Sequence, residues 1–382
     1  IRNLRDASAF RRLMMTIETI HVGTRKGFFV VEGTGLSAKV VSEHFVGDNV
    51  VLSTSDPRDG TWYVVLDHGH FGIKLHRSDD RGANWTEVAV PEYPPKPEGF
   101  VDISMWGNVR EWALANIWSL EPALDRDGAL WCGTVPGGLF RSNDRGESWS
   151  LVESLWSVES RTRWGGAGSD QPAVHTINVD PRNPLWVSVA ISAGGVWRTK
   201  DGGDTWTPHT TGMHAGYVPP EQADWPEHQD AHCVVQSPSS PEIFWCQHHM
   251  GIWRSDNDLA SWTQLHVEPS SFGFPVAVHP HDGNTAWFVP AHSDQKRAPI
   301  DGRVVVTRTR DGGKSFEVLT NGLPQRHAYD LVLRHALDIS SDGDSLAMGS
   351  TTGNLYVTAN QGDEWRCVAN NLPPIYSVRF AS

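Results

Sequence analysis

Short apolar runs separated by polar turns recur along the chain. Residues 175–209 show the unit: HTINV (175–179), a DPRNP turn, LWVSVAISA, GGVWRTK and finally WTPH. Apolar runs this short, bounded by Gly, Pro, Asn and Asp, predict four β-strands joined by tight turns. Matching units start near Val50, Ile117, His175, His232, Phe274 and His335.

The closing turns of these units align as a repeat. The copies are Leu75–Val88 (LHRSDDRGANWTEV), Leu139–Val152 (LFRSNDRGESWSLV), Val196–His209 (VWRTKDGGDTWTPH), Ile252–Leu265 (IWRSDNDLASWTQL), Val306–Leu319 (VTRTRDGGKSFEVL) and Leu355–Val368 (LYVTANQGDEWRCV). Their core is Ser/Thr-x-Asp-x-Gly-x-Ser/Thr-Trp. The aromatic ends, Trp85, Trp149, Trp206, Trp262, Phe316 and Trp365, stand 64, 57, 56, 54 and 49 residues apart. Asp80, Asp144, Asp201 and Asp311 can accept backbone N–H bonds in a tight turn, and the following glycine can take a positive φ. The fourth copy has Leu259 where glycine is expected, so a distorted turn is expected there.

Six units of four strands predict six blades of a β-propeller. IETIHVGT, KGFFVVEG and AKVVSEHF supply three strands of a seventh, and the C-terminal IYSVRFA supplies its innermost strand. The expected fold is all-β: a single seven-bladed propeller over residues 16–382, closed 3+1 by the two termini so that no sheet edge is left open. Residues 1–15 read as an N-terminal extension, with native initiation expected at Met14 or Met15.

The repeat resembles the bacterial neuraminidase repeat, or Asp-box, over nearly the whole chain. The nearest resemblance is to bacterial Asp-box propellers labelled sialidase-like or glycosyl hydrolase without a demonstrated activity. The wider group holds sialidases, xyloglucanases, sortilin-type receptors and a photosystem II assembly factor, so the fold leaves the function open. The resemblance implies that the Asp-boxes sit between the third and fourth strands, on the face away from the active site, with structural aspartates.

Composition narrows the partners. The chain has 382 residues, 39% hydrophobic, which is ample for a core. Its 45 Asp and Glu against 32 Lys and Arg give a net charge of −13, which disfavours nucleic acid and anionic membranes as partners. No apolar run approaches the ~18 residues of a spanning helix. Cys132, Cys233, Cys246 and Cys367 are too few and too scattered for a disulfide framework, and the opening residues lack a secretory apolar segment. A cytoplasmic location is expected.

Innermost strands of such blades start at the functional face, where the second-to-third strand turns and the blade-to-blade connections also lie. Long connections at about 89–116, 153–173, 210–230 and 321–332, and an insertion at about 291–303, therefore share one side. They bring Trp106, Trp156 and Trp225 there together with Glu98, Asp102, Asp170, Glu221 and Asp224. Trp112, Trp118, Trp164, Arg163 and Tyr217 are the expected substrate-binding residues, for a small-molecule or glycan ligand.

Histidine placement carries the chemistry. His175, His232 and His335 occupy equivalent positions opening innermost strands. His68 and His70 (LDHGHFG), His248 and His249 (CQHHMG) and His292 lie where second strands meet the same face. Neutral imidazole is the commonest transition-metal ligand, so a divalent ion, Zn or Mn or else Fe, is expected on His175, His232, His335, His248, His68 and His70. Which of His248 and His249 points inward is open, because adjacent strand residues face opposite ways. Tyr329, Asp330, Glu121 and His327 are the acid–base candidates, and Asp67 and Asp230 could also orient ligands or act as base. Arg110, Arg161, Arg163, Arg297 and Arg334 occupy no equivalent set, and no FRIP motif occurs, which argues against sialidase activity. The expected function is a metal-assisted hydrolase or lyase on a small polar or carbohydrate-like substrate; the alternative is a non-catalytic binding or assembly scaffold.

Overall fold

The computed structural model describes residues 18–33, 35–104, 107–166 and 171–381. The N-terminal extension, Trp106 and Asp170 lie outside the described residues. Seven four-stranded antiparallel sheets form a ring. Blade 1 comprises Thr19–Thr24, Gly27–Glu32 and Lys39–His44, with Ile375–Ala381 as its innermost strand. Blades 2 to 7 follow in chain order, their innermost strands being Asn49–Ser55, Asn116–Pro122, Val174–Val179, Ala231–Gln236, Gly273–Val278 and Leu337–Ile339. The 3+1 closure is as expected: Ile20 pairs with Phe380 and Val22 with Val378.

Blade-on-blade packing explains why the strands read as apolar runs. Middle strands are covered on both faces by their neighbours, so Leu130–Val135 and Ala286–Pro290 are buried at every position. The core is divided into clusters between adjacent blades. Trp131 meets Val187, Trp197 and Trp206 between blades 3 and 4, and Trp287 meets Leu346 and Tyr356 between blades 6 and 7.

The repeated turns are hydrogen-bonded as their chemistry requires. In blade 4, Thr199 Oγ1 and the Thr205 N–H both donate to Asp201 Oδ1, at 2.6 and 2.9 Å, while the Gly203 N–H donates to Thr199 Oγ1. The blade 5 turn is not distorted. Asn257 replaces the aspartate and accepts the Ser261 N–H at 3.0 Å. Leu259 adopts a φ of 66° in place of glycine, and its side chain is buried against Phe244 and Trp253. That burial offsets the cost of the left-handed backbone.

Candidate functional site

Innermost strands carry a β-bulge near their starts in six blades. The extra residues are Val51, Trp118, His175, His232, the Phe274–Pro275 pair and Tyr376. A bulge turns a side chain off the strand's alternation. Here it turns Val51, Trp118, His232, Phe274 and Tyr376 into one axial cavity of about 720 Å³. His335 also lines the cavity, and its Nε2–H donates to the His175 carbonyl across the ring at 2.8 Å. His175 itself is fully buried and does not line this cavity. The axis thus opens to one side as a cup beneath the long connections.

One wall of the cup holds an acid and two imidazoles. Asp230, His232 and His249 each place a ligand-type atom within 4.8 Å of the others. His232 Nε2 lies 3.6 Å and His249 Nδ1 3.5 Å from the same oxygen, Asp230 Oδ2. The tautomer of His232 is fixed from behind: a carbonyl only accepts, so the 2.7 Å contact with Gly273 O puts the proton on Nδ1. Its Nε2 lone pair then faces a carboxylate, a repulsive arrangement unless a proton or a cation lies between them. Aromatic rings enclose the group. Phe274 stacks on His232 at 4.9 Å, Phe272 lies edge-on to both imidazoles, and Tyr217 meets His249 edge-on at 5.1 Å. Burial acts to raise the Asp230 carboxyl, yet the imidazoles outweigh it and hold it well below its usual range. The Asp230 carboxylate in turn holds His249 above its ordinary value, against burial.

Arg334 reaches across the cup from blade 7 to the Ser192 hydroxyl of blade 4 at 3.4 Å, its guanidinium 4.6 Å from the centre of the Trp118 ring. Arg297 also lines the cup, paired with Asp294 at 2.8 Å.

Of the expected metal ligands, only His232 belongs to the acid–imidazole group. His248 is fully buried in its sheet; its Nδ1 accepts the Met250 N–H, and His249 takes the inward position. His68 is bound to Asp48 at 2.9 Å outside the cup, and His70 is exposed beside Phe71. His175 and His335 are engaged with each other across the axis rather than with the group.

The acid–base candidates are placed elsewhere. Tyr329 is 69% exposed, and His327 is exposed at a φ of 53°. Asp330 is buried as a turn anchor, accepting from Ser350 Oγ, Thr352 Oγ1 and Asn354 Nδ2. Glu121 lies near the far end of its strand, bound by Arg379 through both oxygens at 2.7 and 2.9 Å.

Among the expected substrate-binding residues, Trp118 and Tyr217 line the cup. Trp164 is fully buried. Trp112 donates to Asp102, which also binds Arg161 at 2.7 Å and so ties two connections together. Arg163 does the same through Glu227. Phe274, Tyr376 and the central place of Arg334 were missed. Equivalence to His175 and His232 in the repeat marks Phe274, and adjacency to His335 marks Arg334.

No family model matches the chain. A xyloglucanase from a Paenibacillus species is 25% identical over 331 residues, covering 80% of this chain and 28% of that protein. A xyloglucanase of Hypocrea jecorina is 26% identical over 173 residues, covering 43% and 18%. The chain therefore spans less than a third of the length of these curated relatives. Among solved structures it is similar to an ancestral GH74 enzyme (TM-score 0.58, 15% identity, 87% of this chain and 38% of that one). It is also similar to a functionally unknown protein from Desulfotomaculum acetoxidans (0.55, 11%, 95% and 98%) and to YCF48 bound to D1 peptide (0.51, 12%, 92% and 84%). At these identities the structural likeness shows the propeller fold alone.

Proposed function

We propose that the axial cup is the site of a hydrolase acting on a small polar or carbohydrate-like substrate, with a divalent transition metal held by Asp230, His232 and His249. The observation that carries this reading is the convergence of two imidazole nitrogens on Asp230 Oδ2, with His232 held in the tautomer that presents a lone pair. Two imidazoles and one carboxylate with open positions make a suitable donor set for Zn²⁺, Mn²⁺ or Fe²⁺. Such an ion would supply Lewis-acid polarisation of a substrate oxygen. The chain's own part is to orient and enclose. Gly273 O anchors His232, the Phe272 and Phe274 rings limit water, and Trp118 and Tyr217 offer faces on which a sugar ring can stack. Distant sequence similarity to xyloglucanases supports a glycoside as the first substrate to try.

The test is a hydrolysis screen of aryl glycosides, esters, phosphates and sulfates with Zn²⁺ or Mn²⁺ supplied, run on the parent and on Asp230→Asn. Turnover of one class that falls at least about 100-fold in the variant supports the reading, a loss of the size expected when a ligand or catalytic charge is removed. Turnover that is unaffected by Asp230→Asn, or no turnover of any class, overturns it.

A further inference from the structure

We propose that the molecule held in the cup carries a carboxylate, which Arg334 binds. This deepens the hydrolase reading and rests on the cup being its site, naming the substrate as a polyhydroxylated acid of the hexuronate kind.

Arg334 differs from the other arginines packed into this protein. Arg161 is paired with Asp102, Arg198 with Asp180 and Asp258, Arg308 with Glu317 and Asp363, and Arg379 with Glu121. Arg334 lines the cavity with no carboxylate in ion-pair range among the described residues, in a chain of net charge −13. Its one hydrogen bond among the described residues, to Ser192 Oγ at 3.4 Å, leaves most of its five N–H donors free to meet a ligand. Stacking on Trp118 fixes the guanidinium plane, and a planar fork matches the two oxygens of a carboxylate.

Charge selects among anions. Arg297 and Asp294 neutralise each other, whereas Arg334 has no such partner among the described residues. One guanidinium without an ion-pair partner therefore faces the cup. It suits a monoanion better than a phosphate monoester, which carries nearly two charges.

The remaining polar lining points to hydroxyl groups. Asn49 and Asn116 both line the cup and bring neutral amide side chains to it. A carboxylate at Arg334, a neutral amide lining and an aromatic wall of Phe274, Tyr376 and Tyr217, on which a sugar ring can stack, describe a sugar acid.

Isothermal titration of D-glucuronate, D-galacturonate, D-glucose and D-glucose 6-phosphate into the parent, Arg334→Gln and Arg334→Lys tests this. The expected result is a uronate bound at least about tenfold more tightly than glucose or glucose 6-phosphate. Arg334→Gln should lose about tenfold or more, with Arg334→Lys in between because it keeps charge without the fork. Equal or tighter binding of the neutral sugar or the phosphate overturns the proposal. So does an Arg334→Gln affinity within about twofold of the parent, or no uronate binding at ~10 mM. Should Arg334→Gln fail to fold, the comparison of ligands on the parent decides. Uronate binding that needs Arg334 in a protein without turnover overturns the hydrolase reading alone. Turnover of neutral glycosides without uronate preference overturns this inference alone.

Discussion

At the scale of single residues, buried neutral histidines set how the protein responds to acid. His21 is fully buried between Phe28 and Trp62, and neither ring nitrogen has a partner among the described residues. Burial first, then the Arg379 and His44 charges, pushes its pKa down to about 3. His335 is lowered to about 3 by burial and by Arg334, against its bond to the His175 carbonyl, with Arg379 adding to the lowering. Both groups take up a proton near pH 6.5 only in the unfolded chain. Stability therefore falls as pH drops below about 6.5 and continues to fall until about 3, at up to ~1.4 kcal/mol per pH unit per histidine. Urea unfolding at pH 7 and pH 5 should show a smaller loss for His21→Leu than for the parent. Equal losses would contradict this account of His21. The same scale shows what strand alternation concealed. The bulge at His232 shifts the register so that Ala231 faces His248, and His249 becomes the residue that meets Asp230. Sequence alternation assigns each side chain to one face, and one extra residue reverses the assignment. Asp330 looked catalytic beside Tyr329, yet a carboxylate accepting three short bonds within a turn serves the backbone.

Elements position what residues cannot position alone. The bulge near the start of six of the innermost strands is the device that turns a blade edge into a cavity wall. It lies at the positions where the sequence places His175 and His232, so the location of the site was legible although its membership was not. The seven blades and the 3+1 closure were legible too, because turn chemistry repeats with a fixed order of residue types. Closure leads to a prediction. Removing residues 375–382 leaves Thr19–Thr24, still paired with Gly27–Glu32, as an edge strand with one side open, and such edges associate. The truncated chain should lose its cooperative thermal transition and aggregate; a monodisperse protein with unchanged Tm would contradict the closure. A second prediction concerns the connection from blade 6 to blade 7. Gly322 has a φ of 80°, and a Cβ there would lie 1.7 Å from the Trp365 carbonyl oxygen. Gly322→Ala should cost about 2 kcal/mol or more in denaturant unfolding, since both the backbone and the neighbouring strand must shift. A change below ~0.5 kcal/mol would contradict that packing.

For the whole molecule, the ring keeps two faces separate. Hydrogen-bonded repeat turns stabilise one side, while the opposite side gathers long connections over a cup. The loops tie to one another through Asp102 with Trp112 and Arg161, and through Arg163 with Glu227. These are packing roles that composition alone cannot tell from binding roles. Function therefore rests on the few groups that share the cup, and above all on whether Asp230, His232 and His249 hold a metal. The direct measurement is elemental analysis of the purified protein after exposure to Zn²⁺, Mn²⁺ and Fe²⁺, in the parent, in His232→Ala/His249→Ala and in His68→Ala/His70→Ala. This account predicts near-stoichiometric metal in the parent and in the His68/His70 variant, with loss in the His232/His249 variant. A parent without metal, or metal retained by the His232/His249 variant, would contradict it.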